Sequence, residues 1–168
     1  MKLNLGCCDD VLPGWVNVDR PFDSSRAGRR RSGVEFQYAD LAEPWPWADS
    51  TVDEIYAADI FEHLPDRIHT MNEAHRVLKP GGVLRMECPD ASKGSGQWQD
   101  PTHVSAWTPN GLQYFEDGSP AHRRFSRAYG IKARFRVVEL TERKYTDLAG
   151  GVIRCEVWKF RAVLEAVK

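Results

Sequence analysis

The chain of 168 residues lacks several features that mark whole classes of protein. No apolar run approaches the roughly 20 residues that a membrane-spanning helix needs, so no such helix is expected. The formal net charge at pH 7 is −1, so no overall field attracts the chain to nucleic acid or to a membrane surface. The glycine fingerprint G-x-G-x-x-G of dinucleotide-binding proteins is absent, which argues against a nicotinamide-dependent oxidoreductase.

Cysteine is scarce, with four residues, and the four are not spaced as metal ligands. This usage predicts reduced thiols and a cytoplasmic location. Cys7 and Cys8 are adjacent and could in principle form a strained bridge, but we expect two thiols. Met1 and Lys2 lead directly into a strand-like segment, so we expect no secretory signal peptide.

The composition is that of a soluble globular protein, with 42% hydrophobic and 28% charged residues. A chain of this length can bury a sizeable core, and no internal repeat divides it, so we expect one domain over residues 1–168. Every charged residue from Glu35 to Asp66 is acidic. Two stretches are basic: Arg26 with Arg29–Arg31, and Arg123, Arg124, Arg127, Lys132, Arg134 and Arg136. They are either solvated faces and a loop, or a binding site for an anionic substrate.

The first nineteen residues carry the strongest pattern in the sequence. Two apolar segments, Leu3 to Leu5 and Trp15 to Val18, are followed at once by Gly6 and by Asp19. This order predicts a strand, a glycine turn, a second strand and an acid at the end of that strand. In a doubly wound sheet, a glycine there brings the backbone near a ligand, and the acid accepts hydrogen bonds from a ribose. An ordinary turn glycine and a solvated strand end remain the alternative.

The remaining strands are predicted from alternating or continuous apolar segments, at 34–38, 51–58, 83–88, 135–140 and 152–158. The predicted fold class is α/β, with a doubly wound, mostly parallel seven-stranded sheet and helices on both faces. The last two strands form a C-terminal antiparallel hairpin. The first crossover helix is short or missing, because only Gly6 to Gly14 separates the first two strands.

Helices are predicted from capping residues. Asp66 should begin a helix that ends before Lys79–Gly82, and Thr108 should cap a short helix that runs to Glu116. A further helix is expected over 120–129. Residues 90–107 form a long irregular segment after a strand, and such segments in compact domains are functional or disordered.

Four segments together resemble the class I methyltransferases that use S-adenosylmethionine. Leu3–Cys7 is similar to the glycine motif of that family, and Asn17–Asp19 is similar to its segment with the ribose-binding acid. Ala39–Leu41 is similar to the acidic and apolar pair at the adenine edge. Phe61–Leu64 followed by Arg76–Gly82 is similar to the exit of the fourth strand and the turn into the fifth. The terminal hairpin resembles the antiparallel seventh strand of the family.

The resemblance implies S-adenosylmethionine as the cofactor and a Rossmann-like fold. The implied cofactor contacts are Gly6, Cys7, Asp19, Arg20, Asp40, Leu41, Asp59 and Phe61. No metal site is expected. The chain departs from the family at Cys8 and Asp10, where further glycines are usual, and in the missing helix between its first two strands.

Methyl transfer from a sulfonium requires that the acceptor and the methyl group are aligned and that water is excluded. A base is needed where the acceptor must lose a proton. His103 is the first candidate, because it lies on the long loop over the predicted site and its ordinary pKa suits proton transfer near neutral pH. A structural or substrate-orienting role is the alternative for His103. Glu62 and His63 are second candidates.

We expect a methyltransferase that acts on a small-molecule or sugar-like acceptor, without a membrane partner. Residues 88–130 would form the acceptor side, where four aromatic residues either line a pocket or pack in the core: Trp98, Trp107, Tyr114 and Phe115. The alternatives are a methyltransferase that acts on RNA or protein through the arginine clusters, and a non-catalytic cofactor-binding partner subunit. The Asn-Pro-Pro-aromatic signature of amino-group DNA methyltransferases is absent after Ala57–Ala58, which argues against DNA base methylation.

Overall fold

The computed structural model describes residues 1–20, 33–94, 96–149 and 152–168. In these ranges one sheet organises the molecule, with strands in the order β3-β2-β1-β4-β5-β7-β6. Strands β1 to β5 are parallel, and β7 runs antiparallel between β5 and β6. This confirms the mostly parallel sheet with an antiparallel end. The strands are β1 (Lys2–Leu5), β2 (Val16–Asp19), β3 (Phe36–Tyr38), β4 (Val52–Ala58), β5 (Leu78–Pro89), β6 (Phe135–Ala149) and β7 (Val152–Ala166).

The strand order reverses beside β1. The chain moves outward from β1 to β2 and β3, and it then returns to place β4 on the other side of β1. Ligands of open α/β sheets bind beyond the carboxyl ends of the strands at such a switch point. Gly6 follows β1, Asp19 ends β2 and Asp59 follows β4, so three predicted site residues reach this edge.

Two buried asparagines brace the connection between β1 and β2. Every residue of this connection is described, and it forms turns and no helix, as predicted. Asn4 Nδ2 donates to Asn17 Oδ1 and to the carbonyl oxygen of Asp10, both at 2.8 Å. Asn17 Oδ1 also accepts from the amide of Leu12 at 2.8 Å, and Asn17 Nδ2 donates to the Leu12 carbonyl at 3.1 Å. The side chains thus satisfy backbone groups that a crossover helix would otherwise satisfy.

Two α-helices lie in the described residues, and the first of them has the predicted cap. Helix α1 (Arg67–Val77) begins at Asp66, whose carboxylate accepts hydrogen bonds from two amides of the first turn. Helix α2 (Pro120–Tyr129) begins at Ser119 and ends at Gly130, which has a φ of 71°. No helix in the described ranges is long and apolar enough to cross a membrane.

Three 3₁₀ helices also lie in the described ranges, at Phe61–His63, Gly96–Trp98 and Pro109–Tyr114. The last of these begins at Thr108, whose side chain accepts from an amide three residues on, as the sequence predicts. The long irregular segment after β5 is confirmed over its described part, where Gly96–Trp98 is one short turn.

A hydrophobic core lies on one face of the parallel strands, where Leu3 pairs with Ile55, Ile55 with Leu84 and Leu5 with Val18. Leu3, Leu5, Val18, Ile55 and Leu84 are all at most 1% exposed. The side chains on the opposite face of β4 are more exposed and include Glu54, which pairs with Arg85, so β4 alternates between buried and less buried residues.

The terminal hairpin is longer than the sequence indicates. The predicted strands were 135–140 and 152–158, but β6 continues to Ala149 and β7 to Ala166. Residues 138–146 are all exposed, so no period of buried apolar residues marks this part of β6. Backbone hydrogen bonds to β7 stabilise this part of β6 as a strand, and the local sequence does not indicate that pairing.

Candidate active site

Gly6 begins the turn after β1 with a φ of 64°. A Cβ at this position would lie 2.6 Å from the Cβ and Cγ1 atoms of Ile60, which follows Asp59 at the end of β4. The sequence predicts that this glycine brings the backbone close to a ligand. In the structure the space beside its α-carbon holds Ile60, so the glycine also locks the ends of β1 and β4 together.

Asp19 ends β2 with a carboxylate that two backbone amides hold in place. The amide of Cys8 donates to Oδ2 and the amide of Arg20 donates to Oδ1, each at 2.8 Å. Cys8 adopts a φ of 42°, so the chain keeps a glycine-like turn at the position where the family usually has glycine. Each carboxylate oxygen retains capacity for a further donor, which suits the paired hydroxyls of a ribose.

Cys7 lies inside the protein, with 2% of its surface exposed. Its amide donates to the carbonyl of Val18 at 3.1 Å. Burial, assisted by the negative charge of Asp19, raises the pKa of the Cys7 thiol to about 12. Cys7, Cys8 and Cys88 are all thiols in the structure, and the Cys7 thiol stays neutral near pH 7.

Asp40 and Arg20 meet beside the ends of β2 and β3. Asp40 Oδ1 accepts from the amide of Ala42 at 3.0 Å, and Oδ2 lies 3.9 Å from Arg20 Nη1. Both side chains are largely exposed, so this ion pair contributes little to stability. Leu41, in contrast, is 3% exposed and belongs to the core. The predicted adenine edge therefore has one polar and one apolar member.

Asp59 follows β4 and has a partner that sequence reasoning missed. Lys159 of β7 donates a hydrogen bond to Asp59 Oδ2, and the same ammonium lies 3.5 Å from Glu87 Oε1. Burial alone would lower the pKa of Lys159, but the two carboxylates outweigh it and raise that pKa. The amide of Asp59 also donates to the carbonyl of Glu87 at 3.0 Å. Lys159 thus ties the hairpin to the predicted cofactor edge.

The loop after β5 is fastened to the turn after β4. The amides of Val104 and Ser105 donate to the carbonyl of Glu62 at 2.9 and 3.0 Å. Ser105 Oγ donates to the carbonyl of Phe61 at 3.0 Å. The Phe61 ring is fully buried and lies 5.7 Å from the Trp107 ring between centroids. These contacts hold the His103 region of the loop against residues that follow β4.

Glu62, His63 and His103 form a cluster at this junction. One nitrogen or carboxylate oxygen from each of the three lies within 4.8 Å of the others. His103 Nε2 is 4.0 Å from Glu62 Oε1, and the two imidazole centroids are 4.8 Å apart. The structure therefore brings the first catalytic candidate and both second candidates together.

Glu62 is a fully buried carboxyl group. Burial, with repulsion from the nearby charge of Asp59, raises the pKa of Glu62 to about 8. Apart from a weak interaction with the buried thiol of Cys88, neither carboxyl oxygen has a hydrogen-bond partner. Such a group is neutral at pH 7 unless a cation reaches it.

The aromatic candidates separate into two groups. Trp107 and Phe115 are buried, and Tyr114 stacks on the aromatic rings of α2, so these three pack rather than line an open pocket. Trp98 is 67% exposed at the surface of the long loop. Gln97, which the sequence analysis did not single out, is fully buried and donates to the carbonyl of Ser105 at 2.9 Å.

The second of the two arginine clusters lies in the described residues. Arg26 and Arg29–Arg31 lie outside the described residues. Arg123, Arg124 and Arg127 lie on α2, a helix without buried residues. Arg134 instead pairs with Asp117 at 2.9 Å, beside the start of β6 and on the opposite edge of the sheet from the candidate site.

Comparison with known proteins points to one family. Residues 16–86 match the family model described as "Methyltransferase domain". The 27-O-demethylrifamycin SV methyltransferase of Amycolatopsis mediterranei is 38% identical over 89 residues, which are 50% of this chain and 32% of that protein. The trans-aconitate 2-methyltransferase of Agrobacterium fabrum is 31% identical over 116 residues, or 66% of this chain and 40% of that protein. The chain thus spans about a third to two fifths of the length of these curated relatives.

Solved structures share the fold over nearly the whole chain. A SAM-dependent methyltransferase from Methanosarcina mazei superposes with a TM-score of 0.62 at 15% identity, covering 99% of this chain and 92% of that one. A methyltransferase from Haloferax volcanii, solved in complex with a methyltransferase activator, gives a TM-score of 0.62 at 18% identity, covering 99% and 82%. Likeness at this identity concerns the fold, and the sequence match to the family model covers residues 16–86. The chain therefore contains a match to the methyltransferase domain and has the class I, Rossmann-like fold of methyltransferases that use S-adenosylmethionine.

Proposed function

We propose that this domain, residues 1–168, transfers a methyl group from S-adenosylmethionine to a small-molecule or sugar-like acceptor. The observation that carries the proposal is the carboxylate of Asp19 at the tip of β2, fixed by two backbone amides beside the Gly6 turn. The buried thiols of Cys7 and Cys88 fit a reducing, cytoplasmic setting.

The residues at this edge fit the cofactor. Asp19 would accept from the ribose hydroxyls, and Arg20 lies next to it. Asp40 offers an acceptor for the adenine, and Leu41 would contribute through its backbone, because its side chain is buried. The backbone of Gly6 and Cys7 would face the methionine part, because the Cys7 side chain is buried. Further contacts would come from the backbone near Asp59 and Phe61, whose own side chains are held by Lys159 and by the core.

When bound, the cofactor supplies an electrophilic methyl group on a sulfonium sulfur. The protein's tasks are then to align the acceptor, to exclude water and to receive a proton where the acceptor carries one. His103 Nδ1 lies 2.7 Å from the carbonyl oxygen of Gln97 and therefore donates to it, which leaves a lone pair on Nε2. We assign to this Nε2 the proton that an acceptor hydroxyl loses as its oxygen bonds to the methyl carbon.

The acceptor side is proposed for residues 88–130, which hold the long loop and the two helical segments after it. The names of the two curated relatives indicate a rifamycin and an aconitate as their acceptors, both small oxygen-rich molecules. This favours a small molecule with a hydroxyl or carboxylate group as the acceptor of this chain.

The proposal is tested by transfer of a labelled methyl group to a panel of hydroxylated and carboxylated small molecules. We expect one acceptor class to be labelled, and we expect His103→Gln to lower kcat by about 10²-fold or more with a hydroxyl acceptor. His69→Gln is the matched control, because His69 lies on α1 and its imidazole lies 3.1 Å from the Glu43 carbonyl, away from the loop that carries His103. Full activity of His103→Gln with a hydroxyl acceptor would remove the base role.

A second candidate is a methyltransferase that acts on RNA or protein. Arg123, Arg124 and Arg127 support it, because they lie on a helix without buried residues. Binding of RNA that weakens steeply with salt and is lost when the three arginines are replaced would favour this candidate.

A third candidate is a cofactor-binding subunit that needs a partner for catalysis. The Haloferax volcanii neighbour, which was solved with an activator, supports this possibility for the present chain. Tight binding of the cofactor without transfer to any acceptor class would favour it.

A further inference from the structure

Three side chains at the junction of the β4 exit and the long loop form a cluster with the composition of a metal site. Glu62 and His63 lie on the 3₁₀ helix Phe61–His63, and His103 lies on the loop. One ligand atom from each lies within 4.8 Å of the others, and the Glu62 Oε1 to His103 Nε2 distance is 4.0 Å. We propose that Glu62, His63 and His103 bind a divalent transition-metal cation of the zinc class.

The buried carboxyl group of Glu62 is the first observation that points to a cation. It is 0% exposed, and both of its oxygens lack a hydrogen-bond partner of ordinary geometry. Buried carboxyl groups in folded proteins are normally hydrogen-bonded, paired with a cation or bound to a metal. A cation between Glu62 and the histidines would supply the missing partner.

The hydrogen bonds of the two imidazoles are the second observation. His103 Nδ1 donates to the carbonyl of Gln97 at 2.7 Å. Thr102 Oγ1 donates its own proton to Asp100 Oδ1 at 2.6 Å, so it accepts from His63 Nδ1 at 3.0 Å. Both imidazoles therefore carry a proton on Nδ1 and a lone pair on Nε2. Metal-binding histidines are oriented in this way, with the second nitrogen donating to a carbonyl or to a polar chain that ends in a carboxylate.

The geometry requires only small movements. Zinc ligands at their usual distances from a tetrahedral ion lie about 3.4 Å from one another. The 4.0 Å separation of Glu62 Oε1 and His103 Nε2 is slightly longer, and no two ligand atoms of the cluster are more than 4.8 Å apart, so each pair must close by about 1.4 Å at most. The backbone needs no change, because the amides of Val104 and Ser105 already bind the Glu62 carbonyl. His63 is only partly buried and leaves a route for the ion from solvent.

Two histidines and one carboxylate leave one position of a tetrahedral zinc ion for water or for an oxygen of a ligand. Binding of the ion does not depend on the proposed function. Its effect on turnover does, because the ion would take the Nε2 lone pair that we assign to the acceptor's proton. If both proposals hold, zinc inhibits methyl transfer and a chelator restores it.

The test is titration of chelator-treated full chain with Zn²⁺ by calorimetry and with Co²⁺ by visible absorption, without cofactor or acceptor. We expect one ion per chain and the strong visible bands of four-coordinate cobalt. His63→Gln, His103→Gln and Glu62→Gln should each weaken binding by about tenfold or more. His69→Gln is the control and should bind as the unmodified protein does.

Circular dichroism of each variant separates loss of the site from loss of the fold. If Glu62→Gln does not fold, His63→Gln and His103→Gln decide the outcome. The proposal is overturned if no ion binds, or if these variants bind as tightly as His69→Gln. Stimulation of methyl transfer by zinc would keep the ion site and remove the base role of His103, so the two proposals can fail separately.

Discussion

The asparagine pair Asn4–Asn17 stands in for the crossover helix that most open α/β sheets have between the first two strands. Asn17 is 0% exposed and Asn4 is 2% exposed. Asn17→Ala removes an acceptor of two hydrogen bonds, one from Asn4 Nδ2 and one from the Leu12 amide, both at 2.8 Å. It also removes the donor to the carbonyls of Leu12, Trp15 and Glu35, each at 3.1 Å. The substitution therefore removes five hydrogen bonds in or near the core.

Each unsatisfied buried group costs about 1–3 kcal/mol, and solvent can reach part of this connection. We therefore expect Asn17→Ala to lower the free energy of unfolding by about 3–5 kcal/mol. That is a large part of the total for an ordinary domain, about 5–15 kcal/mol. The loosened turn should also release the Cys8 amide from Asp19 and weaken cofactor binding.

Asn72→Ala is the matched control. Asn72 makes three backbone hydrogen bonds, from the amides of Lys132 and Ala133 and to the carbonyl of Gly130, but it lies near the surface. Water can replace these partners, so we expect a loss of about 1 kcal/mol. Equilibrium urea unfolding, followed by tryptophan fluorescence, measures both values. If Asn17→Ala costs no more than Asn72→Ala, the brace does not stabilise the fold as we describe.

Three further outcomes follow from single side chains. Gly6→Ala should lower the free energy of unfolding by about 3 kcal/mol, because Gly6 has a left-handed φ and an added Cβ would have no room. Gly14→Ala should lower it by about 1 kcal/mol, because Gly14 has a positive φ but no atom lies within 4 Å of its added Cβ. Equal losses of the two variants in urea unfolding would contradict the close packing at Gly6. Burial lowers the pKa of His75, so the folded state resists protonation of this side chain. The free energy of unfolding should therefore begin to fall as the pH drops below about 6.5. The midpoints of urea unfolding, measured across this pH range, should depend less on pH in His75→Phe than in the unmodified protein. Alkylation near neutral pH should modify the exposed Cys8 well before Cys7, because the Cys7 thiol is buried and has a pKa of about 12. Peptide mass spectrometry measures both rates, and equal rates would refute the buried placement of Cys7.

Features with a local signal were predictable. Gly6 and Asp19 each follow a short apolar segment, and this order alone predicts the turn at Gly6 and the end of β2 at Asp19. Asp66 and Thr108 cap helices as predicted, because a cap requires only the residue and its next three amides. Family resemblance then supplied the cofactor, which composition and spacing could only suggest.

Features that depend on distant parts of the chain were not predictable. Lys159 meets Asp59 across 100 positions of sequence, and Ile60 fills the space beside Gly6. No local pattern marks either contact. His63 and His103 were named singly, but their approach to one another depends on a loop whose path is set by hydrogen bonds to the turn after β4.

Binding of S-adenosylmethionine at Asp19 is the central claim, and calorimetry tests it most directly. The protein should bind S-adenosylmethionine and its demethylated product but not NAD. Asp19→Ala should weaken binding by about a hundredfold, because two hydrogen bonds to a charged group are lost at about 1.5 kcal/mol each. Asp117→Ala removes the same charge at the opposite edge of the sheet and should bind as the unmodified protein does. Equal affinities of the two variants, or no binding by the unmodified protein, would contradict the account.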